Sequence, residues 1–315
     1  MARYIVKRLL IALIVLFGIT VIDFGIMTLA GNPIEILSGG PRISEELLAI
    51  RAQNLGLNQP IPIQYLNWLK ATLKGDFGYS YKNYQPVSEM IGSHLGPTLV
   101  LMGSALVLSL IIASVAGIYS AVHQNSGGDY AIVSFAFLGQ SIPGFLLAMI
   151  LIYIFTVKLG LLPSSGAWTL GAEGRGIELK YLIMPMIVLA FEMSGRNIRY
   201  IRSSVLEILN KDYLRTARAK GIGRFMVIYK HALRNALIPI VTVIGMELPG
   251  LFGGAVIVEE VFSWPGLGLM TMNAILARDY PVIMAMCLLS AVVVLLGNLI
   301  VDIVYAFVDP TVRFD

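Results

Sequence analysis

The chain is poor in the residue types that carry most protein chemistry. Its 315 residues include one cysteine and three histidines. Cys287 lies inside an apolar run, so an internal disulfide is impossible and no Cys/His spacing suited to a metal exists. His94, His123 and His231 stand on separate segments with no nucleophile and base grouped around them, which gives no support to a membrane enzyme. Charge is scarce as well, at 13% of residues against 57% hydrophobic. No phosphate-cradling G-x-x-x-x-G-K-[ST] loop occurs, because "GIGRF" and "PGLFGG" have glycines but no Lys-Ser/Thr pair. If nucleotide hydrolysis drives this protein, it occurs in another chain. Internal repeats of the kind that build many secondary transporters are also missing.

What is present is apolar sequence in long runs. The mean hydropathy is +0.79, which marks an integral membrane protein of all-α class. Windows of about 20 apolar residues fall near 9–30, 98–122, 130–157, 180–195, 236–258 and 281–307, so six spans are expected. The fourth is the weakest: Glu192, Arg196 and Arg199 crowd its end, and its helix is expected to continue toward Leu209. The first run is about twice as long as a cleaved signal core and reads as a retained anchor.

Lys and Arg set the orientation. With the N-terminus inside, the inner face collects Arg3, Lys7, Arg8, the run from Arg196 to Arg234, and Arg313. The other face holds fewer, spread over more residues. Both termini are therefore expected in the cytoplasm. The net charge of +4 follows from this topology and gives no reason to expect nucleic acid.

Residues 31–97 are too long for a hairpin loop and too polar for the bilayer, so they should fold outside the membrane. Ser44 can cap a helix that stops at Gly56. Tyr65, Leu66, Trp68, Leu69 and Leu73 form a second amphipathic stripe that Gly75 ends. Two readings stand: helices lying on membrane lipid with Trp68 as an interfacial anchor, or a docking surface for something delivered from outside.

The basic loop has a defined shape. Asp212 can cap a helix beginning at Tyr213, and Gly221 can stop it about two turns later. Tyr213, Leu214 and Ala217 then share one face while Arg215, Arg218 and Lys220 point elsewhere. Topology alone requires the charge but not the cap, the stop or the apolar face. A rigid knob seated in a soluble partner accounts for all three.

"YLRTARAKGIGRFMVIYKHALRNALIP" resembles the loop signature of the permease subunits of ABC importers. It matches the general pattern at Ala217, Gly221 and Leu233. It departs from that pattern at Arg215, Thr216, His231 and Arg234 in the manner of the oligopeptide, dipeptide and nickel branch. "YIVKRLL", "LGLNQPIPIQYLNWLKATLKGDFGYS", "SIPGFLLAMILIYIF", "HALRNALIPIVTVIG", "VEEVFSWPGLG" and "VDIVYAFVDPTVR" resemble that branch in order and spacing.

The resemblance implies a type I importer permease fold with a folded extracellular insertion. Residues 1–30 would hold the tip and first helix, 31–97 the insertion, and 98–315 a five-helix core with a coupling loop at 196–235. It also implies a bacterial or archaeal cell membrane, a second homologous permease subunit, and two ATPase subunits that bind ATP and Mg. A binding protein outside the membrane would deliver peptide. No cofactor is expected in this chain, and a nickel chelate is the alternative cargo.

Carboxylates within spans are costly unless paired or hydrated. Asp23, Glu192 and Glu247 are pathway candidates, and Glu247, near Pro249, is equally open to pairing with a neighbouring helix. Asp302 is expected to meet basic residues near the cytoplasmic end. An ion-coupled secondary transporter would use Asp23, Glu192 and Glu247 as a relay. Pro143, Pro185, Pro239 and Pro249 either permit bending or are merely tolerated. "SWPGLG", Ser263 to Gly268, reads as a turn just outside the fifth span with Trp264 at the interface; by resemblance Ser263, Trp264, Pro265, Gly266 and Gly268 belong to an outer gate.

Overall fold

Proline and glycine punctuate long apolar runs in this sequence, and helices begin, bend and stop at them. The computed structural model describes residues 2–29, 57–169, 176–212, 250–253 and 255–308, with isolated positions 53, 171, 214, 223, 226, 243, 245 and 247. The elements are α1 (Ala2–Leu29), α2 (Ile61–Leu73), α3 (Val87–Val122), α4 (Gly127–Ser141) and α5 (Gly144–Leu151), which passes into a π-helical turn at Ile152–Lys158. Then come α6 (Leu179–Leu209), α7 (Gly250–Gly253), α8 (Val256–Val261), α9 (Leu267–Leu276) and α10 (Tyr280–Val308).

Among the described residues, three helices are long and apolar enough to cross a bilayer, at Val6–Leu29, Val87–Val122 and Tyr280–Val301; α4 with α5 makes a fourth if that bent pair is one span. The expected third span is thus broken. Pro143 supplies no N–H to the ladder, and the chain turns by 99° between α4 and α5. The second helix starts at Val87, well before the expected residue 98, because Ser88, Glu89, Ser93 and His94 lower the local hydropathy without breaking the helix. The expected fifth span lies largely outside the described residues, as does the expected helix from Ser44 to Gly56.

α6 is central. It runs 31 residues through Pro185 unbroken and packs on α3 and α4. In lipid, helices associate through close packing rather than through a hydrophobic drive, so small residues mark the crossings. A Cβ at Gly195 would sit 2.6 Å from the Ala136 carbonyl, and one at Gly139 would sit 2.9 Å from that of Phe191. Larger residues fill the remainder. Leu101, Met184, Val188, Phe262 and Trp264 join α3, α6 and the α8 region; Val87, Leu267, Met270 and Val282 join the start of α3 to α9 and α10.

α2 forms where the amphipathic stripe predicts it, and Gly75 follows at φ +83. Its aromatic face leans on α1, with Tyr65 and Trp68 against Phe24. The Thr20 and Tyr65 hydroxyls share a hydrogen bond of 2.9 Å.

Candidate functional site

The "VEEVFSWPGLG" stretch builds a closed polar knot around a residue that hydropathy did not single out. Glu259 is fully buried. Its carboxylate accepts from the Thr98 hydroxyl at 3.2 Å, from Leu269 N–H at 2.9 Å and from Ala255 N–H at 3.4 Å, and it also takes the Gly268 N–H. Thr98 Oγ1 in turn accepts from Leu267 N–H at 2.7 Å. The carboxylate thus occupies the N-terminus of α9, where unpaired N–H groups favour negative charge.

Gly266 is required for space. A Cβ there would fall onto the Glu259 carboxyl group, and one at Gly268 would lie 2.8 Å from Glu259 Oε2. Trp264 is not an interfacial anchor, as expected from its type; it is fully buried, and its ring N–H donates to the Pro97 carbonyl at 3.0 Å. Of the proposed gate residues, Ser263 is exposed at φ +46, and Pro265 is partly covered.

Ion pairs brace α6 at two levels. At one end Arg202 forms a two-pronged pair with Asp129, Nε to Oδ1 and Nη2 to Oδ2 both at 2.8 Å, beside the 123–126 turn. Ser120 donates to the same carboxylate. At the other end Glu178 accepts from the Thr169 N–H at 2.7 Å and pairs with Lys180 at 2.9 Å, which holds its carboxyl down to about 2. Residues 178 and 202 are about 36 Å apart at a helical rise of 1.5 Å. The hydrocarbon core is about 30 Å thick. Glu192 lies between these two contacts, about 15 Å from Arg202 by the same rise.

A polar stripe runs along α6 between these two contacts. Glu192, Arg196 and Arg199 recur at i, i+4 and i+7, so they share one face of α6. Glu192 accepts the Gly144 N–H at the start of α5, and a Cβ on Gly144 would fall onto its carboxylate. Arg196 pairs with Glu247 at 2.6 Å while its own side chain stays 59% exposed. Arg199 donates to Gln140 and lies over the Phe137 ring; its Nε has no hydrogen-bond partner among the described residues.

The other candidates are separate from this stripe. Asp23 is buried where α1 meets α10, accepting from the Cys287 thiol. Its second oxygen has no hydrogen-bond partner among the described residues. In the coupling segment, Asp212 is exposed and helical, whereas Leu214 is fully buried. Tyr213, Arg215, Ala217, Arg218, Gly221 and Pro249 lie outside the described residues, as does the side chain of Asp302.

A contact that the sequence did not announce ties residues 79–86 to the turn before α10. The buried Asp279 carboxylate accepts from the Ser80 hydroxyl and from the Tyr81 N–H, the latter at 2.9 Å. Burial, reinforced by the negative field of Asp279, pushes the Tyr81 phenol up to about 12, so it stays neutral at physiological pH.

Residues 1–102 match the N-terminal model of the binding-protein-dependent transport system membrane components. Residues 113–314 match that of the binding-protein-dependent transport system inner membrane components. The chain belongs to this family.

Family membership sets aside the ion-coupled relay that the intramembrane carboxylates left open. The oligopeptide transport system permease protein AppB of Bacillus subtilis (strain 168) is 44% identical over 317 residues, covering 100% of both chains. The glutathione transport system permease protein GsiC of Escherichia coli (strain K12) is 38% identical over 315 residues, again covering 100% of both. The inward-facing MetNI methionine ABC transporter shares the fold of this permease at TM-score 0.57 and 18% identity, over 70% of this chain and 96% of that one. An amino acid ABC transporter structure matches at TM-score 0.51 and 16% identity, over 70% of this chain and 94% of that one.

Proposed function

We propose that this permease is the first of two homologous membrane subunits of an ABC importer that takes up oligopeptides or dipeptides. The observation that carries the reading is the end-to-end similarity, at 44% and 38% identity, to permeases named for an oligopeptide and for glutathione. In this assembly a binding protein delivers peptide to the face bearing residues 31–97. The two permeases form the path between them, and two ATPase subunits bind ATP and Mg on the cytoplasmic side. Both termini and the 123–126 turn face the cytoplasm.

The segment from Asp212 to Gly221 transmits the movement. Its charge and short length suit a helix held in a groove of an ATPase, with Leu214 rooting it in this chain. Nucleotide bound differently by two states of the ATPase pair would then bias the permease between its own two states. Ala217→Glu or Gly221→Pro should leave membrane insertion intact while abolishing peptide uptake and stimulated ATP hydrolysis. Transport retained in either variant would count heavily against the coupling role. Uptake of labelled dipeptides, longer peptides and nickel by the complete transporter tests the cargo; nickel uptake without peptide uptake would reassign it.

A further inference from the structure

We propose that Glu192 is a binding site for the ammonium group of a peptide in transit, an inference that rests on the peptide-permease reading above. Three observations bring it forward. Glu192 stands within the expected fourth span, where a carboxylate facing lipid is costly, so the face bearing Glu192 and the exposed Arg196 turns to water, to cargo or to the second permease. Its neighbours on the stripe already have partners: Glu247 pairs with Arg196, and Gln140 accepts from Arg199, whose Nε has none among the described residues. Glu192 makes no ion pair among the described residues, and the polar contact it has is one N–H from Gly144.

One backbone N–H leaves most of a carboxylate's acceptor capacity unused. A primary ammonium supplies up to three donors and the missing charge. The break at Pro143 matters here, because it turns the start of α5 toward α6 and sets its N–H against one side of the carboxylate, which has no ion-pair partner among the described residues. A peptide N-terminus or a lysine side chain would supply the same chemistry.

The test uses the complete transporter in vesicles. Glu192→Cys should react with a cationic methanethiosulfonate reagent, with Cys287 as the internal reference when labelled sites are located by mass. Trialanine should slow that reaction severalfold, and N-acetyl-trialanine should not. Protection by an N-acetylated lysine peptide would extend the site to side-chain ammonium groups; protection by trialanine alone would confine it to N-termini. Glu192→Gln should raise the KM for trialanine about tenfold, as expected for loss of one charge-assisted contact, and Glu192→Asp should recover part of it.

An unreactive residue 192, or equal protection by trialanine and its acetylated form, overturns the proposal. An unchanged KM in Glu192→Gln does the same. If the unsubstituted transporter takes up no trialanine, the peptide reading itself fails; normal uptake with residue 192 unreactive removes the ammonium site alone.

Discussion

Pro143-Gly144 and Pro265-Gly266 are two versions of one device, and they differ in how completely it is closed. In each, a helix starts at or just after the glycine of Pro-Gly, the glycine leaves room for a carboxylate, and that carboxylate takes backbone N–H at the helix start. Glu259 is fully buried, and the Thr98 hydroxyl joins three backbone N–H groups around it. Glu192 is half-buried and takes a single N–H among the described residues. A carboxylate saturated by its own chain is structure, whereas one left mostly unsatisfied is available to a ligand. The same local grammar therefore serves opposite ends, and neighbouring elements decide which.

The largest effect should come from breaking the closed version. Glu259→Ala leaves several buried donors without an acceptor, at about 1–3 kcal/mol each, and should lower stability by roughly 3–5 kcal/mol. Thermal unfolding in detergent and the amount of folded protein in membranes both report this. Thr98→Val removes one donor to Glu259 and the acceptor of Leu267 N–H, for a loss of about 2 kcal/mol. Trp264→Phe loses the single bond to the Pro97 carbonyl and should cost about 1 kcal/mol by the same measurement.

The open version should respond least in stability. Gly144→Ala asks only that the half-buried Glu192 move aside, so its unfolding temperature should shift far less than that of Gly266→Ala, whose carboxylate is held on every side. Equal shifts in the two glycine variants would show that the closed and open turns do not differ in the way described.

Much of this contrast was invisible in the sequence. Hydropathy marked the apolar runs because that signal is local, and amphipathic spacing placed α2. Glycine and proline marked the turn at 265–266, whereas Pro143 left bending open without placing a break in the third span. The pairings Thr98–Glu259, Ser80–Asp279 and Asp129–Arg202 join residues 161, 199 and 73 positions apart, and no periodicity reports a contact across such distances. Glu259 was overlooked for a related reason: at the end of an apolar window it looks like an ordinary loop carboxylate. The carboxylate ahead of a Pro-Gly step in "EEVFSWPG" was the one local sign. Trp264 misled because its residue type favours interfaces, and tertiary packing overrode that preference.

The contacts of Ser80 and Tyr81 with Asp279 also bear on how far the chain can be treated as interchangeable parts. The two family matches are separated by residues 103–112, and a chimera joined there would inherit its front from one transporter and its back from another. Yet Ser80, Pro97 and Thr98 each depend on a residue beyond position 255. Recombination between related permeases should therefore succeed only when positions 80, 98, 259, 264 and 279 travel together, whatever the joint.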